Sequence, residues 1–278
     1  MLNKNDYSDI TKKLREISEE ASQKILEIYN SDFKINYKSD SSPLTLADTE
    51  SNKIICKKLK KEFKKIPIIS EENKVRNLSS ETFFLVDPLD GTKEFIARNG
   101  EFTVNIGLVI NNKPKLGVIQ IPVRSTQYFT DGVYSYKYRK TLKKISSLSN
   151  NENIKLTVSR SHLDLETKKF IQNNKDISIL KAGSSLKFCL IAEGKADFYI
   201  RNGKTLGWDI AAGIAILKTA GGSISKLDLK ELIINKKTFT KDPFICYKKN
   251  FNSDKLNHIL KQFWYYNQFI QLNHKINW

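Results

Sequence analysis

Near the start of the chain, apolar residues recur at spacings of four and three: Ile10, Leu14, Ile17, Ala21, Ile25 and Ile28. That rhythm predicts an amphipathic helix, because it keeps one face of a helical turn apolar. Ala47, Ile55, Leu59 and Phe63 predict a second helix. The pattern then shortens. Ile66 to Ile69 is a brief apolar run leading into Ser70-Glu71-Glu72, and Thr82 to Val86 is another, ending at Asp87. Phe102 to Ile110 and Leu116 to Ile121 read as antiparallel strands around an Asn111-Asn112 turn, with Gln127 to Thr130 as a further strand. Tyr134 to Asn153 is polar and lysine-rich and predicts a linker between two halves.

Beyond it the pattern alternates. Lys155 to Val158, Ile177 to Leu180 and Asp197 to Ile200 predict strands, while Leu163 to Gln172, Ser185 to Glu193 and Ile210 to Thr219 predict helices. Alternation of this kind predicts a layered α/β architecture. Leu256, Ile259, Leu260, Phe263 and Ile270 suggest a terminal helix. The expected division is an α+β half over 1–133, an α/β half over 154–248, and a C-terminal extension over 249–278.

Composition changes the picture in three ways. A hydrophobic content of 40% over 278 residues is enough for a sizeable core. No stretch approaches the roughly 20 apolar residues that span a bilayer, and Met1 to Ile10 lacks the make-up of an export signal. Three scattered cysteines, Cys56, Cys189 and Cys246, form no Cys-x-x-Cys pair and predict free buried thiols in a reducing cytoplasm. The net charge of +17 invites a nucleic-acid reading, but the lysines are scattered over helix faces and no nucleic-acid-binding signature accompanies them. A solvated basic surface that attracts small polyanions is the expectation.

The chemistry concentrates in Asp87-Pro88-Leu89-Asp90-Gly91-Thr92-Lys93-Glu94-Phe95. A strand delivers Asp87 at its end, and Pro88 holds that residue extended. Asp90 follows three residues later. Gly91 lets backbone approach a ligand closely, and Thr92-Lys93 open a helix whose free N–H groups suit a phosphate. Two carboxylates beside an anion site need cations between them and the phosphate. Oxygen ligands select a hard ion, with magnesium expected.

This string resembles the metal-binding motif of the inositol monophosphatase superfamily. Ser70-Glu71-Glu72, Trp208-Asp209-Ile210-Ala211-Ala212-Gly213 and Thr45-Leu46-Ala47-Asp48 resemble its other motifs, in the same order. Asp90 to Ile96 running into Arg98-Asn99-Gly100-Glu101-Phe102-Thr103-Val104-Asn105-Ile106, together with Ser159-Arg160-Ser161-His162 and Gly183-Ser184-Ser185-Leu186-Lys187-Phe188-Cys189, is similar to the bacterial 3′(2′),5′-bisphosphate nucleotidase branch. The similarity runs over residues 8 to 247, and the residues from Lys249 match no motif.

The resemblance implies a layered α-β-α-β-α sugar-phosphatase fold. It implies hydrolysis of the 3′-phosphate of adenosine 3′,5′-bisphosphate, in sulfur metabolism and nucleotide recycling, with lithium inhibition; use of the 5′-phosphosulfate relative stays open. It implies that Glu71, Asp87, Asp90, Asp209 and the Leu89 carbonyl hold two or three Mg²⁺, and that Asp48 and Thr92 activate water. Gly91 and Thr92 amides would hold the scissile phosphate, with His162, Ser184, Lys187 and Arg201 at the rest of the substrate. Structural roles compete for those last four: Ser184 as a helix cap, Lys187 as a solvated helix residue, Arg201 as a strand end, His162 as a structural histidine. Phe95, Phe102, Tyr128 and Phe188 are candidates for stacking on adenine, with core packing the plainer role. The expected partner is a small nucleotide and not nucleic acid, in a cytoplasmic monomer or homodimer without a transmembrane segment. Peripheral contact with the inner membrane stays open.

Two alternatives remain. One is an inositol or sugar monophosphatase of the same superfamily. The other is a non-catalytic basic protein binding nucleic acid or a membrane surface, drawn from the charge and from Phe263-Trp264-Tyr265-Tyr266.

Overall fold

The computed structural model describes residues 4–39, 43–73, 80–150, 153–203, 205–234, 240–241 and 243–263. Ile270 and Trp264-Tyr265-Tyr266 lie outside the described residues.

The chain opens with α1 (Lys4–Tyr29), a short hairpin of β1 (Ile35–Tyr37) and β2 (Pro43–Thr45), and α2 (Leu46–Glu62). A sheet follows, built from β3 (Ile68–Ser70), β4 (Thr82–Asp90), β5 (Thr103–Ile110), β6 (Lys113–Ile121), β7 (Thr126–Thr130), β8 (Ser135–Tyr138) and β9 (Leu142–Ile145) in sequential order. The short helix α3 (Thr92–Ile96) lies between β4 and β5. Only the β3–β4 pair is parallel among these neighbours. Asn111 and Asn112 both adopt positive φ, 50° and 60°, at the β5–β6 turn. Asparagine tolerates that region, which the twist of a tight hairpin requires.

The second half comprises β10 (Lys155–Ser159), α4 (Leu165–Asn173), β11 (Ser178–Ala182), α5 (Leu186–Ala192), β12 (Phe198–Arg201) and β13 (Thr205–Leu206). It continues with α6 (Gly207–Thr219), β14 (Ser223–Lys226), β15 (Thr240–Lys241) and β16 (Phe244–Tyr247). Five of these strands form a sheet ordered β11-β10-β12-β16-β14.

Five layers result. On β4, alternate side chains serve different cores: Phe84 and Val86 meet α1 and α2, while Phe83 and Leu85 join the core around α5 and α6. A strand covered on both faces reads as a continuous apolar run, which is what Thr82 to Val86 shows. The α5/α6 layer also meets Tyr199, Phe244 and Cys246 of the second sheet. On that sheet's far side, Phe170 of α4 packs with Leu256, Ile259, Leu260 and Phe263. Those four lie on a helix over residues 253–263. The start of the extension is therefore an outer layer of the fold.

One expectation fails. The segment Tyr134 to Asn153, read as a linker, instead supplies β8 and β9. β8 fully buries only Ser135 and β9 buries none of its residues, so neither alternates clearly, and β9 is an edge strand carrying Lys143 and Lys144. Lysines on an edge block further strand pairing, and they also erase the apolar signature of a strand.

The position of α6 depends on two glycines. Gly107 and Gly117 are cross-strand partners on β5 and β6, and α6 crosses directly over them. A methyl group at Gly117 would lie 2.4 Å from the Ala212 carbonyl oxygen and 2.7 Å from its Cα. Backbone cannot step aside as a flexible side chain does. Gly117→Ala is expected to destabilise the protein by about 1–3 kcal/mol through overpacking, and to shift the start of α6. Urea denaturation reads the cost, and unchanged stability would show that the contact yields.

The three cysteines are free and buried. Among the described residues, no helix is long and apolar enough to cross a membrane.

Candidate active site

A cleft of about 430 Å³ opens between the two sheets, and carboxylates from separate places in the chain line one end of it. The end of β4 supplies two. In a regular strand, residues three apart point to opposite faces. Here Asp87 opposes Asn105 and Asp90 opposes Thr103, so three steps on β4 match two on β5. This bulge turns both carboxylates into the cleft. Pro88 sits within it, where no ladder N–H is needed, and its carbonyl accepts from Ser51 Oγ at 2.7 Å. Glu71 follows β3, its N–H bonded to the Val86 carbonyl beside Asp87. Asp209 lies in the first turn of α6, its Oδ2 accepting the Leu206 N–H at 2.9 Å.

The electrostatics are those of crowded acids. Burial pushes Asp87 well above the usual carboxylate range, and the charges of Glu71, Asp90, Asp209 and Asp48 add to the effect. Burial first, then Asp90, lifts Asp209 to about 8. Burial lifts Asp90 to about 6, held back by Lys187 and by hydrogen bonds from Asn105 and the Ser185 N–H. Among the described residues, no three His, Cys, Asp or Glu side chains are already drawn into a metal-holding cluster. The four acids share a cleft, but each faces its own partners.

Asp48 is set by the start of α2. Its Oδ2 accepts from the Thr45 N–H and hydroxyl, both at 2.7 Å, in a capping box. Its Oδ1 accepts from Thr92 Oγ1 at 3.1 Å. The cap thus fixes the carboxylate and leaves the second oxygen for Thr92. Burial raises the pKa of Asp48, against the hydrogen bonds from Thr45 and Thr92. Gly91, at φ +91°, lines the cleft beside Thr92, and a Cβ there would meet Ser184 Oγ at 2.2 Å.

The other end of the cleft is basic. Lys187 is 6% exposed, with Nζ against the Ser184 carbonyl and above the Tyr199 ring. Burial lowers it to about 8, although Asp90 opposes the shift. It is not a solvated helix residue. Arg201 reaches Thr205 Oγ1 at 3.2 Å. His162 Nε2 lies 2.9 Å from Lys93 Nζ. Burial, then Lys93 and Arg201, depress the imidazole, so it accepts from the lysine.

Ser184 fills a different place from a helix cap. The N-cap of α5 is Ser185, while Ser184, at φ +48°, has its hydroxyl 2.8 Å from the Asp90 carbonyl and 2.7 Å from that of Glu101. It ties the second half to the bulge. Of the aromatic candidates, Phe95 and Phe102 are buried against Tyr29, and Tyr128 donates to Glu193. Phe188 alone of the four lines the cleft.

Lys38 lies in none of the motifs, and Asn105 and Ser185 stand inside motif strings that assign them no role. Lys38 Nζ lies 2.8 Å from Glu71 Oε1 and 2.6 Å from Glu72 Oε1. Burial works against this ammonium, but the two glutamates raise its pKa above the ordinary lysine value. Asn105 Nδ2 and the Ser185 N–H donate to Asp90 Oδ2 at 3.2 and 2.7 Å. Nothing in the sequence marks Lys38 among 47 basic residues. Asn105 carries a signal: it is a polar residue inside an otherwise apolar strand.

The profile of the inositol monophosphatase family matches residues 6–265. The chain belongs to the inositol monophosphatase family. The match extends past residue 247, where the motif resemblance stops, and takes in the helix over 253–263. Among curated relatives, the 3′(2′),5′-bisphosphate nucleotidase CysQ of Buchnera aphidicola is 43% identical over 229 residues, 79% of this chain and 85% of that one. The CysQ of Escherichia coli strain K12 is 38% identical, over 75% of this chain and 87% of that one. Among solved structures, CysQ from Bacteroides thetaiotaomicron, a bacterial member of the family, superposes with a TM-score of 0.77 at 35% identity, covering 88% of this chain and 98% of that one. An inositol monophosphatase from Anabaena, at 23% identity, gives a TM-score of 0.72 over 91% of this chain and 96% of that one, and shares the layered fold.

Proposed function

We propose that this chain is a Mg²⁺-dependent 3′(2′),5′-bisphosphate nucleotidase that removes the 3′-phosphate of adenosine 3′,5′-bisphosphate, with its 5′-phosphosulfate relative as a further substrate. The observation that carries the reading is the bipolar cleft, with Glu71, Asp87, Asp90 and Asp209 at one end and Lys187, Arg201, His162 and Lys93 at the other. A monophosphate needs only the first end. A substrate with two phosphates uses both. The relatives named CysQ support the same reading.

The donor set fits hard divalent cations. Four carboxylates are raised or crowded in one cleft, and such a cluster is costly without positive charge. Glu71, Asp87, Asp90, Asp209 and the Leu89 carbonyl would hold two or three Mg²⁺. When bound, these ions neutralise phosphoryl charge and favour ionisation of water.

The chain's own groups do the rest. Thr92 Oγ1 takes a proton from the attacking water while its hydrogen passes to Asp48 Oδ1, along the 3.1 Å contact. Thr45 holds Asp48 in place for that transfer. The water oxygen bonds to phosphorus as the bond to the ribose 3′ oxygen breaks. That oxygen takes a proton from solvent, giving AMP and phosphate. The Gly91 and Thr92 amides steady the transferring group. No covalent enzyme intermediate is needed. Lys187 and Arg201 hold the 5′-phosphate, His162 helps through Lys93, and Ser184 keeps its loop in position. Lithium inhibition follows from the family, and three buried free thiols suit a cytoplasmic setting.

Phosphate release from adenosine 3′,5′-bisphosphate, inositol 1-phosphate and fructose 1,6-bisphosphate, each with and without Mg²⁺, tests the reading. The bisphosphate nucleotide should be preferred and Mg²⁺ required. A tenfold preference for inositol phosphate would replace the proposal with the monophosphatase alternative.

Lys187→Ala separates the two ends of the cleft. It should lower kcat/KM for the bisphosphate by about tenfold or more, the scale of one charge-assisted hydrogen bond, and affect a nucleoside 3′-monophosphate much less. Equal losses on both would remove Lys187 from substrate recognition.

A further inference from the structure

A second cavity, of about 370 Å³, lies against α5. Helix α5 separates it from the catalytic cleft: Lys187 lines the cleft, while Leu186 and Leu190 line the cavity. The exposed Leu180 and the half-buried Leu190 give it a small apolar face, with Ile121 and Leu186 buried beneath it. Its rim is basic, with Arg124, Lys137, Arg139, Lys181 and Lys195.

Two carboxylates also reach it, and both are already matched. Glu193 receives Lys137 at 2.8 Å, Lys195 at 2.9 Å and the Tyr128 hydroxyl at 2.9 Å. Glu101 is held by Arg160 through two contacts, at 2.7 and 2.8 Å, and by the Gly183 N–H. Among the described residues, Arg139 and Lys181 have no carboxylate partner and stand exposed at the mouth. The cavity adjoins a trough over β8 and β9 that shares Lys137, Arg139 and Lys195 and adds Lys140, Lys143 and Lys144.

An apolar face in a cavity roomy enough for a nucleoside, beside two cations without a carboxylate partner and a lysine-rich trough, is a specific chemical combination. We propose that this cavity is a second ligand site for a nucleoside polyphosphate. The base and sugar would rest against Leu180 and Leu190. The phosphates would meet Arg139 and Lys181 and extend along the trough. Such a molecule bears on the helix that carries Lys187. The site does not depend on the nucleotidase reading.

The test separates the two sites by removing metal. In EDTA the acidic end of the catalytic cleft repels nucleotides, while the second cavity keeps its cations. Isothermal titration of ATP into the protein in EDTA should show one equivalent bound. The double variant Arg139→Ala/Lys181→Ala should weaken binding by about tenfold or more, as expected for two lost charge-assisted contacts. Lys187→Ala should leave it unchanged. Inorganic tripolyphosphate, which lacks a base, should bind more weakly than ATP. Three results would overturn the proposal: no ATP binding in EDTA, binding indifferent to the double variant, or tripolyphosphate binding as tightly as ATP. The last would show that surface charge alone accounts for the attraction. Both substituted side chains are exposed, so the fold is not at stake.

Discussion

Asp90→Asn should abolish turnover while leaving the protein folded. Asp90 Oδ2 accepts from the Ser185 N–H and Asn105 Nδ2. An asparagine can keep its oxygen toward these donors and turn its amide toward the cleft. The tie between the two halves then survives. What disappears is a negative charge at the centre of the proposed cation site, where stabilisation of the phosphoryl transition state is greatest. A loss on the order of a thousandfold is expected, comparable to removing a central electrostatic contact elsewhere in catalysis. Phosphate release in saturating Mg²⁺ measures it, with thermal denaturation as the control for folding. Near-normal turnover would exclude Asp90 from the metal site.

The second large effect is on stability. Metal-free protein should lose thermal stability as pH rises from about 5 to 8. The sign follows from where protons sit. In the unfolded chain an aspartate titrates near roughly 4. In the folded cleft Asp90 is pushed up to about 6 and Asp209 to about 8. Between these limits the folded state holds protons that the unfolded state has released. Stability therefore falls with pH through that window and levels off above the folded values. Asp197, Glu101 and Glu193 shift the other way, and their contributions are complete by the lower limit. His162, depressed below the ordinary imidazole value, opposes the trend inside the window, and Lys187, lowered to about 8, only above it. The melting temperature should drop by several degrees, roughly the size a few kcal/mol produces in a chain this long. Mg²⁺ should restore it by binding the folded state alone, and Asp209→Asn should reduce the metal-free slope, with Asp87 and Asp90 carrying the remainder. A profile that is level from pH 5 to 8 without metal would contradict the crowding of charge in the cleft.

The sequence made much of this architecture readable because burial leaves a pattern. The α1 stripe from Ile10 to Ile28 and the run into Asp87 are visible because each meets a core. The β8–β9 pair was hidden for the opposite reason: strands that bury little show no alternation, and their lysines look like a loop. Helix 253–263 was legible as a helix but not as a layer, since its role depends on meeting Phe170, a contact across the sequence. In the site, Asp48, Glu71, Asp87, Asp90, Thr92 and Asp209 stand in recognisable motifs, yet no motif shows the bulge that aims Asp87 and Asp90 the same way. Lys38 was illegible because a lone lysine carries no spacing. The contest between ligand contact and helix cap at Ser184 could not be decided from a Gly-Ser-Ser string, because its positive φ, which aims the hydroxyl back at Asp90, leaves no mark there.

The most direct measurement is a crystal structure of the protein with Mn²⁺ in place of Mg²⁺, recorded at a wavelength where manganese scatters anomalously. The account predicts at least two anomalous peaks in the cleft, within bonding distance of Glu71, Asp87, Asp90 and Asp209 between them. Peaks elsewhere, or a cleft without any at saturating Mn²⁺, would contradict it.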